Sequence, residues 1–251
     1  MSFGYTLYVS DIAPTPLFSI ITVVRNAVGT VENCIQSVTN QSFADFEYIV
    51  IDGLSDDGTS ELISQHLNSI HTYVREKDLG IYDAMNKAIT MCRGKYIGII
   101  NADDAYFEDT LRNVQRSIAE YPESQIIYGG VQIISKEGGT LYVEHGNLDH
   151  AMIPHPSCFV LSDAYRHFGM FNSDFKIAAD YDFMLRAFKA GAVFHNTGLI
   201  LAQYRSGGAS AKNRLKSIQE MISIQADHLG WSKFYRNYRF LRYLAATYLI
   251  S

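Results

Sequence analysis

The chain has 251 residues, 47% of them hydrophobic and 19% charged, which is typical of a globular protein with a sizeable core. Its net charge of −5 argues against a nucleic-acid-binding protein, which would carry a basic surface, so no nucleic-acid partner is expected. The three cysteines have no CxxC spacing, which favours reduced thiols. Residues 1–15 lack the pattern of a signal peptide, and no stretch is apolar enough for a membrane span. We therefore expect a cytoplasmic protein, either soluble or peripheral at the inner face of the cytoplasmic membrane.

The first half of the chain alternates strand and helix patterns. Apolar runs predict buried strands at Leu17–Val24, Phe46–Ile51 and Lys95–Ile100, with a shorter strand near His71–Arg75. Helical spacing predicts helices over Val31–Val38, from Thr59 and over Gly80–Cys92. This alternation predicts an α/β fold, with a mostly parallel central sheet and helices on both faces.

The second half is less regular. Strands are predicted at Gln125–Ile134, Thr140–Glu144 and Ser157–Leu161, an extended segment at Ala192–Tyr204, and helices at Asp180–Ala190 and Lys212–Leu229. No linker or repeat divides the chain. We predict one domain over residues 1–230, followed by a C-terminal helical tail over residues 231–251.

The tail has an unusual composition. It holds seven aromatic residues, four basic residues and no acidic residue. Two interpretations remain open: a helix lying on an anionic membrane surface, or a packed helix whose arginines extend to solvent.

Polar clusters follow three of the predicted parallel strands, at Arg25–Asn26, Asp52–Asp57 and Asn101–Asp104. The carboxyl ends of parallel strands meet at one rim, where ligands bind in such sheets. Asp103 and Asp104 are suited to a hard cation, Mn²⁺ or Mg²⁺, completed by substrate phosphates. The alternative is that Asp104 caps the helix containing Leu111 and Val114.

Other polar residues allow both a functional and a structural interpretation. Asp52 could bond a base or ribose, although its loop could instead supply a helix cap. Asp83 and Lys87 share a helix face that could be only a salt-bridged surface, whereas Gly80 leaves backbone amides open to an anion. Asp180 could act as a general base, or Asp180 and Asp182 could simply complement a helix dipole. No GxGxxG, P-loop, GxSxG or zinc spacing is present.

Five segments in order resemble family 2 of the inverting glycosyltransferases, which have the GT-A fold, and in particular their bacterial cell-surface polysaccharide branch. They are FSIITVVRN (18–26), YIVIDGLSDDGT (48–59), EKDLGIYDAMNKAI (76–89), IGIINADD (97–104) and AADYDFMLR (178–186), with Gly207–Ser210 as a further feature of the branch. The resemblance spans residues 17–210. It implies a donor half over residues 17–105 and an acceptor half over residues 106–230.

The resemblance also implies a role for each matching residue. The donor nucleotide, usually UDP, would be bound by Thr22, Val24, Arg25, Asn26, Asp52, Asp78, Gly80, Asp83, Lys87, Asn101 and Ala102. Asp103 would hold Mn²⁺ or Mg²⁺, and Asp180 would be the catalytic base. The donor sugar or acceptor would contact Asp104, His155 and Asp182.

Asn101 and Ala179 depart from the family pattern, in which acidic residues are common at both positions. The expected partners are a nucleoside diphosphate sugar donor and a saccharide or lipid-linked saccharide acceptor, and a homo-oligomer stays open. Two other functions remain as alternatives. One is a non-catalytic nucleotide-sugar-binding subunit, and the other is a sugar-phosphate nucleotidylyltransferase, although the loop after the first strand lacks the Gly- and Arg-rich pattern of that class.

Overall fold

A computed structural model describes residues 15–146, 153–208 and 213–248. Its strands are β1 (Phe18–Val24), β2 (Phe46–Asp52), β3 (Thr72–Arg75), β4 (Tyr96–Ile99), β5 (Ala105–Tyr106), β6 (Ile126–Ile134), β7 (Thr140–Glu144), β8 (Cys158–Leu161) and β9 (Phe194–Arg205). Its helices are α1 (Val31–Thr39), α2 (Thr59–Ser64), α3 (Ile81–Met91), α4 (Thr110–Glu120), α5 (Ser162–Phe168), α6 (Ala179–Lys189), α7 (Arg214–Leu229) and α8 (Lys233–Tyr248). Short 3₁₀ turns lie at Leu67–Ser69 and His155–Ser157.

The strands form one sheet in the order β3-β2-β1-β4-β8-β6-β9-β5, with β7 added to β6. β1 runs parallel to β2 and β4, and β2 runs parallel to β3. They are parallel because each connection crosses back, so that every strand starts at the same end of the sheet. β8 is antiparallel to both of its neighbours, whereas the long ladder between β6 and β9 is again parallel. The predicted mostly parallel sheet is confirmed, and each antiparallel pairing involves a strand of the second half.

Helices pack on both faces of the sheet, as predicted. Side chains alternate along β1, so Ile21 and Val23 join a core with α3 and α6, whereas Phe18 and Ile20 join a second core with α1 and α4. Burying each of these large apolar side chains contributes roughly 1.5–3 kcal/mol, which explains why β1 is apolar along most of its length. The two cores hold the carboxyl ends of β1, β2 and β4 at one rim.

The predicted strands and helices are present, with small shifts at their ends. β5 and α5 were not predicted, since β5 has two residues and α5 follows β8 without a turn sequence. Cys34, Cys92 and Cys158 are free thiols. None of the helices in the described ranges is both long and apolar enough to cross a membrane. The boundary at residue 230 stays a prediction, and Ala209 and Ser210 lie outside the described residues.

Candidate active site

A cleft of about 820 Å³ lies where β1 and β4 end, and the N-terminal parts of α3, α6 and α7 border it. Ten of the residues predicted from the sequence line its wall: Val24, Arg25, Asn26, Asp78, Gly80, Asn101, Ala102, Asp103, His155 and Asp180. Six others are absent from that wall: Thr22, Asp52, Asp83, Lys87, Asp104 and Asp182. The cleft therefore brings the proposed metal ligand and the proposed base into one space, although they are 77 positions apart in the sequence.

Asp103 and Asp104, which follow the end of β4, have different surroundings. Asp103 lines the cleft, whereas Asp104 is buried. Asp104 Oδ1 accepts a hydrogen bond from the N–H of Arg205 at 3.0 Å, and its Oδ2 accepts one from Asn101 Nδ2 at 3.3 Å. Burial, and secondly the charge of Asp103, raise the pKa of Asp104 well above its usual value.

These contacts show what Asp104 binds within the protein. Its side chain ties the end of β9 to the site and is not among the residues that line the cleft, and its contact with a donor sugar stays a prediction. The helix-cap interpretation is wrong, because α4 begins at Thr110 and Asp109 occupies its N-cap position.

The surroundings of Asp103 fit a hard divalent cation. Asn101 also lines the cleft, and its Oδ1 is buried without a hydrogen-bond partner, so this oxygen is available to a ligand. Within the described residues, no group of three or more His, Cys, Asp or Glu side chains is arranged to hold a metal ion. Mg²⁺ and similar cations commonly bind one or two carboxylates and complete their shell with substrate phosphates. The site therefore fits a metal ion that is bound by Asp103 and whose remaining ligands come from a phosphate-bearing molecule.

The loop after β1 is fixed by the loop after β2. Asn26, with φ 54°, accepts a hydrogen bond from the N–H of Asp56 at 3.0 Å, and its own N–H donates to Ser55 Oγ at 2.9 Å. Asn tolerates this left-handed conformation better than most residues. The N–H of Ala27 donates to Thr59 Oγ1 at 2.8 Å. These bonds hold the end of β1 in place on the cleft wall.

Asp52 organises this arrangement from outside the cleft. It is fully buried, and its Oδ1 accepts hydrogen bonds from the N–H and Oγ of Ser55 at 2.8 and 2.7 Å. Its Oδ2 accepts one from Tyr73 OH at 3.1 Å. Thr22 is also fully buried and accepts a hydrogen bond from Tyr48 OH at 2.9 Å. Both side chains thus have partners within the protein, and their contact with the nucleoside stays a prediction.

The segment before α3 brings backbone close to the cleft. Gly80 has φ 131°, a conformation that L side chains rarely adopt, so glycine is required there. Asp78 Oδ1 accepts the N–H of Gly80 at 2.9 Å. A Cβ at Gly53 would lie 2.1 Å from Asp78 Oδ2, so the absence of a side chain at Gly53 makes room for this carboxylate.

Asp83 and Lys87 lie on the outer face of α3. Lys87 Nζ is 2.9 Å from the carboxylate of Glu76 and 3.3 Å from that of Asp83. Partly exposed pairs of this kind contribute little to stability. The structure thus agrees with the salt-bridged-surface interpretation, and the contact of these two side chains with the donor nucleotide stays a prediction.

Two neighbouring positions of the same motif, Tyr82 and Asn86, instead contact residues 171–180. Tyr82 OH lies 2.9 Å from Asp180 Oδ1 and 2.6 Å from the carbonyl oxygen of Ile177. Asn86 Nδ2 donates to the carbonyl of Phe171 at 2.8 Å, and Asn86 Oδ1 accepts the N–H of Phe171 at 3.1 Å. Burial, and secondly the charge of Asp180, raise the pKa of Tyr82 well above its usual value, so the phenol stays a donor. The four-residue spacing of Tyr82 and Asn86 could have indicated this shared face.

The two aspartates at the start of α6 have separate environments. Asp180 lines the cleft. Asp182 is buried and pairs with Arg186 Nε at 2.9 Å and His228 Nε2 at 3.1 Å, so it links α6 to α7. Arg186 also donates to the carbonyl of Met170 at 2.7 Å. The contact of Asp182 with substrate stays a prediction, and both of its carboxylate oxygens have partners in Arg186 and His228.

His155 is an unusual member of the cleft wall. Its side chain is 9% exposed, and neither ring nitrogen has a hydrogen-bond partner. Burial lowers the pKa of His155, against a smaller opposing effect of Asp180. A neutral imidazole offers one donor and one acceptor nitrogen. Buried polar groups without partners are rare, so this side chain is suited to binding a ligand.

Residues 19–190 match the family model described as glycosyl transferase family 2. The chain belongs to that family. Over 201 residues it is 30% identical to the PGL/p-HBAD biosynthesis glycosyltransferase of Mycobacterium bovis (strain BCG / Pasteur 1173P2), covering 77% of this chain and 78% of that protein.

Solved structures show the same fold. S. aureus TarS 1–349 in complex with UDP-GlcNAc superposes with a TM-score of 0.69 at 16% identity, over 83% of this chain and 66% of that one. The mannosyltransferase PcManGT from Pyrobaculum calidifontis, in complex with GDP-Man and Mn²⁺, gives a TM-score of 0.67 at 18% identity, over 89% and 68%. The GT-A fold expected for this glycosyltransferase family 2 member is confirmed.

The cleft extends beyond the part of the chain that matches the family 2 model. Asn213, Ser217 and Met221, at the start of α7, also line it. These residues were not predicted from the sequence, because their pattern indicates only an amphipathic helix. Tyr204 and Lys176 likewise line the cleft without having been predicted.

Proposed function

We propose that this family 2 protein transfers a sugar from a nucleoside diphosphate sugar, with UDP as the nucleotide, to a saccharide hydroxyl with inversion. The observation that carries this proposal is that Asp103 and Asp180 line the same cleft. Asp103 follows a strand end suited to a metal-bound diphosphate, and Asp180 lies at the start of α6. A panel of nucleotide sugars, each assayed with and without Mn²⁺, tests it by release of nucleoside diphosphate. Release from no sugar nucleotide would favour a non-catalytic binding subunit.

The donor half would hold the nucleotide through residues on the cleft wall. Val24, Arg25 and Asn26 would border the nucleoside, with Asp78 and Gly80 beside the ribose and diphosphate. Asn101 and Ala102 would lie next to the phosphates. Thr22, Asp52, Asp83 and Lys87 would support this wall through the contacts described above. The complexes of TarS with UDP-GlcNAc and of PcManGT with GDP-Man support a nucleotide-sugar donor.

Asp103 would hold the metal ion, Mn²⁺ or Mg²⁺. When bound, such an ion neutralises charge that develops on the leaving diphosphate, as a Lewis acid. The unpaired Asn101 Oδ1 would accept a hydrogen bond from a ribose hydroxyl or a metal-bound water. The complex of PcManGT with Mn²⁺ supports a metal of this kind.

Asp180 would act as the general base. The acceptor oxygen forms its bond to the anomeric carbon as the bond from that carbon to the diphosphate breaks. The hydroxyl proton passes to a carboxylate oxygen of Asp180, and the electron pair of the broken bond leaves with the nucleoside diphosphate. Attack opposite the leaving group inverts the anomeric configuration. Tyr82, at 2.9 Å from Asp180 Oδ1, would hold the carboxylate at the angle that this transfer needs.

His155 would bind a sugar hydroxyl near Asp180. We expect His155→Phe to raise the acceptor KM about tenfold, because a ring of similar shape removes a hydrogen bond worth about 1 kcal/mol or slightly more. Initial rates over a range of acceptor concentrations would measure the change. His167→Phe makes the same substitution at an exposed position outside the cleft and should leave KM unchanged. An unchanged KM in His155→Phe would remove His155 from acceptor binding.

We further propose that the acceptor is carried on a lipid and belongs to cell-surface polysaccharide or glycolipid synthesis. The M. bovis relative is a glycosyltransferase of PGL/p-HBAD biosynthesis, which supports such a product. On α8, Phe234, Tyr238 and Leu241 follow one helical face and are 83%, 47% and 63% exposed. The four basic residues of the tail, with no acidic residue, complement an anionic membrane surface in a chain of net charge −5.

This membrane contact predicts a difference between the full chain and a 1–230 truncation. We expect the full chain to float with vesicles containing anionic lipid, and the truncation to float at least about tenfold less, since each basic residue near such a surface contributes about 1 kcal/mol. Vesicles of neutral lipid and high salt are the controls. Equal flotation of both forms on anionic vesicles would mean that the tail is no anchor.

A further inference from the structure

We propose that Glu220 on α7 is a positioning residue for the reaction, because it anchors the backbone segment that carries Asp180 to the cleft. This inference rests on the proposed role of Asp180 as the base. Glu220 lies 30 positions beyond the last residue that matches the family model.

The contacts of Glu220 converge on one short segment. Its Oε2 accepts hydrogen bonds from the backbone N–H groups of Lys176, Ile177 and Ala178 at 3.1, 2.9 and 3.1 Å. Its Oε1 accepts a second bond from the N–H of Lys176 at 3.0 Å. Hydrogen bonds to a carboxylate are roughly twice as strong as neutral ones. One half-buried side chain thus satisfies three successive backbone donors directly before α6.

The same segment is held from the opposite side by α3. Tyr82 OH contacts the carbonyl oxygen of Ile177 at 2.6 Å and the carboxylate of Asp180 at 2.9 Å. Ile177 therefore has its N–H bound to Glu220, and its carbonyl shares the single hydroxyl proton of Tyr82 with the Asp180 carboxylate. Loss of the Glu220 contacts would free the N–H side of this peptide and let the Asp180 carboxylate shift relative to the cleft. A displacement of about 1 Å at a reacting group can lower a rate about 100-fold.

The placement of α7 supports this role. Ser217 and Met221, which flank Glu220 on the helix, line the cleft, and His228 near the other end of α7 binds Asp182 of α6. α7 thus holds the start of α6 through Gln225 and His228, which bind Tyr181 and Asp182, and Glu220 adds the contact to the segment directly before α6.

The test is a comparison of Glu220→Met and Glu220→Gln with Asp227→Asn, which removes an exposed carboxylate from the same helix. We expect Glu220→Met to lower kcat about 10- to 100-fold while the donor KM stays within about twofold. Glu220→Gln should lose less, because one amide oxygen can replace the Oε2 that binds all three N–H groups. Asp227→Asn should match the wild type. Hydrogen exchange at the amides of Lys176, Ile177 and Ala178 should accelerate in Glu220→Met alone.

Two results would overturn the inference: a kcat of Glu220→Met within twofold of wild type, or unchanged exchange at these three amides. Equal losses in kcat and donor binding in both Glu220 variants would indicate a general loss of structure and would also count against it. If the wild type turned over no nucleotide sugar, the proposed function would fail. The exchange measurement, which needs no activity, would then still decide whether Glu220 holds the segment.

Discussion

Replacing Asp180 by Asn is expected to lower kcat for sugar transfer about 10³-fold, while donor binding stays close to that of the wild type. Asn cannot take the proton of an acceptor hydroxyl, and general bases contribute about 10²- to 10⁴-fold to enzymatic rates. The substitution is nearly isosteric, and its amide oxygen can still accept the hydrogen bond that Tyr82 OH makes to Asp180 Oδ1 at 2.9 Å. The geometry of the site should therefore survive. Single-turnover transfer and calorimetric binding of the nucleotide would measure the two effects separately.

The matched control is Asp174→Asn, which makes the same change at an exposed position a few residues before α6. It should retain full activity. Transfer by Asp180→Asn within tenfold of the wild type would remove Asp180 from the mechanism. NMR analysis of the product would show whether the anomeric configuration is inverted, because a retaining enzyme would yield the opposite anomer.

The second large effect is expected at Asp103. Asp103→Asn should lower metal-dependent turnover by about 100-fold or more, because the ion it would hold is worth several kcal/mol of transition-state stabilisation. A neutral amide binds Mn²⁺ or Mg²⁺ more weakly than a carboxylate, so the Mn²⁺ concentration for half-maximal activity should also rise. Rates measured across a Mn²⁺ titration would separate weaker metal binding from a slower reaction at saturation.

The adjacent Asp104 provides an informative comparison. Its carboxyl is buried, its pKa is raised well above the usual value, and its Oδ1 accepts the N–H of Arg205. An amide can accept the same hydrogen bond, so Asp104→Asn should keep its metal response and an activity within about tenfold of wild type. The assignment of the metal to Asp103 would be wrong if Asp103→Asn kept its Mn²⁺ response while Asp104→Asn lost it.

The strands that position the donor site could be predicted from the sequence, because β1, β2 and β4 are apolar runs that end at polar residues. The rim of the sheet, and with it Asn26, Asn101 and Asp103, followed from this pattern. The sequence could not show whether a polar residue at a strand end faces a ligand or the protein. Asp52 is the clearest case, because Ser55 and Tyr73 donate hydrogen bonds to its two carboxylate oxygens.

On α3, helical spacing likewise could not show which side chains face the cleft. It indicated correctly that Asp83 and Lys87 share a face, but they form an ion pair and neither residue lines the cleft. Tyr82 and Asn86 are the residues that reach the acceptor half, through partners about ninety positions further along the chain. The contacts of Glu220 with residues 176–178 are likewise set by the packing of α7, which no local pattern records.

The strand order also has a consequence for how a newly made chain folds. β1, β2, β3 and β4 pair in parallel with one another within residues 18–99, so this unit can assemble while the rest is still being synthesised. Asp104 and Tyr82 must wait for partners at Arg205, Ile177 and Asp180. In the nascent protein the unit of β1 to β4 would therefore fold first, and the contacts of Asp104 and Tyr82 with the second half of the chain would form only when β9 and α6 dock.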